Sequence, residues 1–213
     1  MKRTTIKVFK KNKYLEVIKN NNTLILMFLF IVIGFFIGCL AVKFNLFNLR
    51  DKNCSYFLNY LNLRKNQTFF KILINTFLNS VTYFILIFFS GTCLAGPCLI
   101  PLIAGFCGFY SAVVISHLYI YNCLLGILFS ILIVIPPSLT AFFAVMLEGR
   151  EALGFSVCFL KLVMPGTNNK VFENLNRDFK YYCTRQLFIV LMFLVSALLD
   201  SLLSVSFIRL FNL

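Results

Sequence analysis

The sequence predicts an all-α integral membrane protein of about five transmembrane helices, with amphipathic helices lying at the membrane interface. Three observations predict it. The chain of 213 residues is 60% hydrophobic and has a mean hydropathy of +0.89, a composition of the membrane class. The 76 residues from Ile72 to Leu147 contain no Asp, Glu, Lys or Arg. All 20 Lys and Arg residues, and the net charge of +13, therefore lie on either side of that stretch. A bilayer core about 30 Å thick takes roughly 20 apolar residues as a helix. Ile72–Leu147 is long enough for three crossings, and one more fits on each side of it.

The elements follow in order. Residues 1–22 form a basic cytoplasmic tail with seven Lys or Arg against Glu16. Ile6, Phe9, Tyr14, Leu15 and Ile18 could line one face of a short helix on the membrane surface. Residues 23–213 form a single membrane domain. Its first span, 23–42, is uncharged. A basic start and an apolar run also describe a signal peptide, but this run is longer than the usual apolar region of one, and no small-residue cleavage site ends it. It reads as an uncleaved helix. Gly34 and Gly38 give it a spacing that admits a close neighbour.

Lys43–Lys71 is a connecting segment with six basic residues and Asp51. From Asn66 it reads as an amphipathic helix, with Phe69, Phe70, Leu73, Phe77 and Val81 at helical spacing, running into a second span at 74–95. Gly96-Pro97 ends that span. The third span covers 101–119, with Pro101 in its first turn, where the missing N–H costs little. The aromatic sequence Leu118–Asn122 marks a membrane interface. The fourth span covers 122–147 and contains Pro136-Pro137. The two prolines remove two helical donors and leave the carbonyls of Leu132 and Ile133 without partners. Ser138, Thr140, a neighbouring helix or water must then supply them. A kinked helix and a broken helix lining a polar cavity both fit. Glu148–Gln186 is a polar loop in which Gly149–Leu162 forms another interfacial helix, stopped by the turn cluster Pro165–Asn169. A fifth span covers 187–208.

Counting basic residues gives the orientation. With the N-terminus in the cytoplasm, 13 of the 20 Lys and Arg lie inside, as the positive-inside rule requires. The C-terminus is then outside.

The composition also excludes classes of function. The basic charge suits the bilayer's anionic head groups, and no soluble module suggests nucleic-acid binding. The eight cysteines form no CxxC motif and read as small apolar residues. The 27 Phe, absence of Trp and frequent Asn, Lys and Ile fit the AT-rich codon usage of a low-GC bacterium. No P-loop, GxSxG or HExxH motif occurs, and His117 has no carboxylate or nucleophile in a recognised pattern. No catalytic residue, cofactor or metal site is expected. Asp200 is the one ionised group inside a span, which costs on the order of 2.5–3.5 kcal/mol at a helix centre. It sits near the outer end of its helix, or it pairs with a partner or serves transport. Glu148-Gly149-Arg150-Glu151 caps the inner end of the fourth span or docks a partner. Gly96, Pro97, Pro136, Pro137, Glu148, Arg150 and Asp200 are the structural or partner-contact candidates.

Asn79–Ser156 contains Gly91, Gly96-Pro97, Gly105, Pro136, Glu148-Gly149 and Ala152-Leu153-Gly154. This order of features, the length, the basic tail and the five-helix layout resemble the stage II sporulation protein M family. The resemblance implies a septal membrane protein of a bacterial cell, needed for the mother cell to engulf the forespore. It implies a non-enzymatic scaffold that anchors extracytoplasmic peptidoglycan-degrading proteins, with a homo-oligomer possible. The alternative is a small transporter or permease subunit, suggested by a proline break together with an intramembrane charge.

Overall fold

The computed structural model describes residues 22–46, 68–163 and 170–207. The basic tail, most of the first connecting segment and the Pro165–Asn169 cluster lie outside the described residues. Five helices carry the described chain: α1 Asn22–Lys43, α2 Phe69–Thr92, α3 Gly96–Phe129, α4 Ile135–Val163 and α5 Lys170–Phe207. A π-helical segment, Ser130–Val134, joins α3 to α4. No strand occurs among the described residues. Five stretches are long and apolar enough to cross a bilayer: Asn22–Lys43, Phe69–Thr92, Gly96–Ile120, Gly126–Leu160 and Phe179–Phe207. The all-α membrane fold read from composition is the fold observed.

Helical backbone continues from Gly96 to Val163, yet this is not one rod. A straight helix would hold Ile100 and Gly149 about 74 Å apart at 1.5 Å per residue. Instead, a Cβ placed on Gly149 would lie 3.3 Å from Ile100 Cγ2. Leu118 packs with Phe129 and Ile133 in a small core of its own. The chain therefore reverses between Leu118 and Phe129, and the third and fourth spans run antiparallel. Leu118–Asn122 reads as an interruption in the sequence, and the reversal falls there or just beyond.

Glycines set the closest crossing, between α1 and α3. A Cβ on Gly34 would overlap the Gly105 carbonyl, and one on Gly108 would overlap the Ile31 carbonyl. One on Gly38 would stand 2.7 Å from the Phe109 oxygen. Backbone meets backbone here, as small residues permit in a bilayer where apolar attraction between helices is weak. The main core lies among all five helices and includes Met27, Ile87, Ile100, Val145, Ile189 and Phe193. The outward faces of the spans are rich in exposed Leu, Ile and Phe, such as Phe36, Leu78, Phe106 and Leu187. Lipid covers such faces.

Three boundaries differ from the sequence reading. Gly96-Pro97 opens α3 at its first helical positions rather than ending α2, and Pro101 lies inside that helix. α4 does not end at Leu147: it passes through Glu148 and absorbs Gly149–Leu162, which forms no separate interfacial helix. Glu148 is thus not a cap. The Glu148–Gln186 segment is helical at both ends, with only 164–169 outside the described residues. Charged residues read as the end of a span because they rarely enter hydrocarbon, but a helix of 35 residues such as Gly126–Leu160 is about 52 Å long and outruns the bilayer core.

At the double proline the helix is not broken: helical backbone runs through Pro136 and Pro137, which leaves the kinked helix of the two sequence readings. The π-helical turn just before it widens the backbone by one residue, and the Ile135 N–H bonds to the Ser130 carbonyl five residues back. Prolines are commonly accommodated by such local adjustment. Ser138 Oγ donates to Ile135 O at 2.8 Å and Thr140 Oγ1 to Pro137 O at 2.8 Å. Ser196 Oγ reaches the same Pro137 oxygen from α5 at 2.7 Å.

Candidate functional site

The polar groups inside the bundle fall at three levels. The first is the turn between α2 and α3. Ser156 Oγ, fully buried on α4, donates to Cys93 O at 2.9 Å. A side chain at Gly96 would overlap both that hydroxyl and the Ser90 carbonyl. Gly96 therefore lets the turn press against α4, and Pro97 starts the helix that leaves it.

The second level lies deeper. Glu148 is eight residues from Ser156, about 12 Å along the helix. Its side chain is 0% exposed, and neither oxygen has a hydrogen-bond partner among the described residues. Gln186 on α5 is buried too. Both stand beside the Tyr182 phenol. Tyr182 is stacked between Phe88 and Phe155, with ring centroids 5.3 and 4.9 Å away and planes within 15° and 11°. Its hydroxyl makes a long 3.3 Å bond to Phe88 O. Gly91 leaves room for that hydroxyl, since a Cβ there would come within 2.8 Å of it. Gly149, next to Glu148, lets Met27 of α1 close the site from the other side. Arg150 is half-buried and, two residues on, points well away from Glu148 around the helix. Nearer the polar edge, Arg185 pairs with Glu151 at 2.6 Å.

The third level is Asp200. It is 5% exposed, and Thr76 Oγ1 of α2 donates to its Oδ2 at 2.7 Å. Between the two acidic levels, Ile189 and Phe193 fill the same face of α5. Asp200 lies 14 residues beyond Gln186, about 21 Å. The two buried carboxyls therefore cannot act as a pair. His117 is buried about 25 Å along α3 from Ile100, far from Glu148. No group of three or more His, Cys, Asp or Glu side chains gathers among the described residues. The arrangement suits holding helices together and accommodating charge at depth.

The layout of these features along the chain is that of a known family. The family model of stage II sporulation protein M matches residues 24–205. The chain belongs to that family. The match runs across all five spans and takes in Gly96, Glu148, Tyr182, Gln186 and Asp200. No curated protein and no solved structure gives a match. Membership of the stage II sporulation protein M family, with five candidate spans, makes this a sporulation-related membrane protein.

Gln186, Tyr182 and Ser156 escaped the sequence reading. A signal existed: Tyr182, Gln186, Ile189, Phe193, Ala197, Asp200 and Ser204 recur at steps of three and four, tracing one face of α5. Of the sequence candidates, Glu148 joins that face through Tyr182, Asp200 lies on it, and Pro137 meets it through Ser196. Arg150 does not take part.

Proposed function

We propose that this protein is a non-enzymatic membrane scaffold required for forespore engulfment, which anchors and localises peptidoglycan-degrading proteins at the septal membrane. The family match over residues 24–205 carries this reading. The packing supports it. Backbone-to-backbone contact between α1 and α3 and the aromatic stack at Tyr182 make a rigid frame, while Ser156, Ser196 and the Thr76–Asp200 pair tie elements together. In this reading the N-terminus is cytoplasmic. The partners meet the chain on the outer side, at the Lys43–Lys71 segment and the C-terminal end. Gly96, Pro97 and Asp200 hold the frame rather than touch the partners.

Deleting residues 47–67 and co-purifying the cell-wall hydrolases from sporulating cells tests the contact surface. Loss of the hydrolases, with the membrane protein still present at normal abundance, is the expected result. Undiminished co-purification would remove that surface from the proposal. A transport role is the second reading, favoured by the two buried acidic side chains. It requires solute flux in proteoliposomes that Asp200→Asn abolishes, whereas the scaffold reading expects none.

A further inference from the structure

The scaffold role makes no use of a carboxyl group buried with nothing to balance it. We propose that Glu148, with Gln186 and Tyr182 beside it, is an intramembrane binding site for one positive charge, a proton or an alkali cation.

The proposal rests on unused bonding capacity. Both Glu148 oxygens are buried and unbonded among the described residues, the buried Gln186 carboxamide stands against the Tyr182 phenol, and the Tyr182 hydroxyl spends its donor on one long contact. Isolated polar groups at such depth are costly, and a lone ionised carboxylate far more so. Among the described residues, no cation is seen beside Glu148. α1 and α3 present Met27 and Ile100 at Gly149. α2 presents Phe88 and Gly91 to Tyr182. On α5 the nearby charge is Arg185, already bonded to Glu151 of α4 and 64% exposed. Arg150 lies on another face of α4. Among the described residues, the Tyr182 phenol is a titratable group beside Glu148, with Glu151 and Cys183 also near that phenol.

Charge and donor type then specify the ligand class. One carboxylate balanced by one positive charge leaves the site neutral, while a divalent ion would leave a net charge in hydrocarbon. Carboxylate, carboxamide and phenol oxygens are hard donors, suited to a proton or an alkali ion rather than to a soft metal. The occupant would be exchanged with the side of the membrane on which the α2–α3 turn lies, about 12 Å away.

Infrared difference spectroscopy of the full chain in lipid nanodiscs, wild type against Glu148→Gln, tests the site. In choline buffer at neutral pH, the expected result is the carbonyl band of a neutral carboxylic acid, lost in the variant. Added sodium or potassium separates the two occupants. Conversion of the band to a carboxylate means that an alkali ion displaces the proton. An unchanged band means that the proton alone binds. A Glu148 already ionised in choline, and indifferent to either salt, would overturn the proposal, because a fixed basic group must then neutralise it. Thermal unfolding provides a second readout. A folded state that binds a proton the unfolded state releases loses stability as pH rises, so the wild type should show a falling midpoint and Glu148→Gln a flatter one. Identical pH slopes, together with no acid band, would contradict it. Should Glu148→Gln fail to fold, the acid band is read in the wild type alone by its shift in deuterium oxide, and its absence there overturns the site equally.

Discussion

Gly34 and Gly154 are both glycines inside helices, and the structure gives them opposite values. A Cβ at Gly34 would overlap the Gly105 carbonyl, while one at Gly154 meets nothing within 4 Å. Overpacking that the backbone must absorb costs about 1–3 kcal/mol. Gly34→Ala should therefore lower the unfolding midpoint in detergent and lift α1 from α3, whereas Gly154→Ala should hold or raise it, since Ala is favoured over Gly in a helix by about 1 kcal/mol. Similar losses at both positions would refute the crossing described here. Hydrogen bonds across the spans rank lower. Ser196→Ala removes one bond to Pro137 O, and such bonds are worth about 0.6 kcal/mol on average in a membrane. At Asp200 the two obvious variants should divide. Asp200→Asn keeps an acceptor for Thr76 and is expected to fold normally. Asp200→Leu strands the Thr76 hydroxyl and should be less stable by about 1–2 kcal/mol, read in the same unfolding assay.

At the scale of the element, the double proline and the charged end of α4 show how far a sequence can be read. The apolar run 72–147 made the spans plain, because hydrocarbon admits so few charges. The same logic put the end of the fourth span at Glu148, and there it failed. Glu148 turns inward toward Tyr182 and Gln186, and Glu151 turns to Arg185, so α4 carries acids without ending. Whether a charge leaves a span or is hidden within it depends on which helix stands opposite, and that is a tertiary fact. The prolines follow the same pattern. Their lost donors were evident, but the π-helical turn that precedes them, Ser130–Val134, carries no signal in its mostly apolar residues. Gly34 and Gly38 likewise announced a close contact without naming α3 as its other half. On this account, replacing Pro136 and Pro137 by Ala should leave α4 a membrane span and cost little stability, since the helix already passes through that point unbroken. Loss of the span on glycosylation-site mapping would contradict it.

Among the described residues the molecule is a bundle whose interior is settled by its own helices and whose outward faces are apolar. The proposed scaffold role puts partner recognition outside the bundle core. Measurement should start with deletion of the gene in its own host and imaging of the membranes through sporulation. The scaffold account expects arrest after septation, with the septal membrane failing to curve round the forespore, and rescue by the wild-type chain but not by one lacking residues 47–67. Complete engulfment in the deletion strain would contradict it.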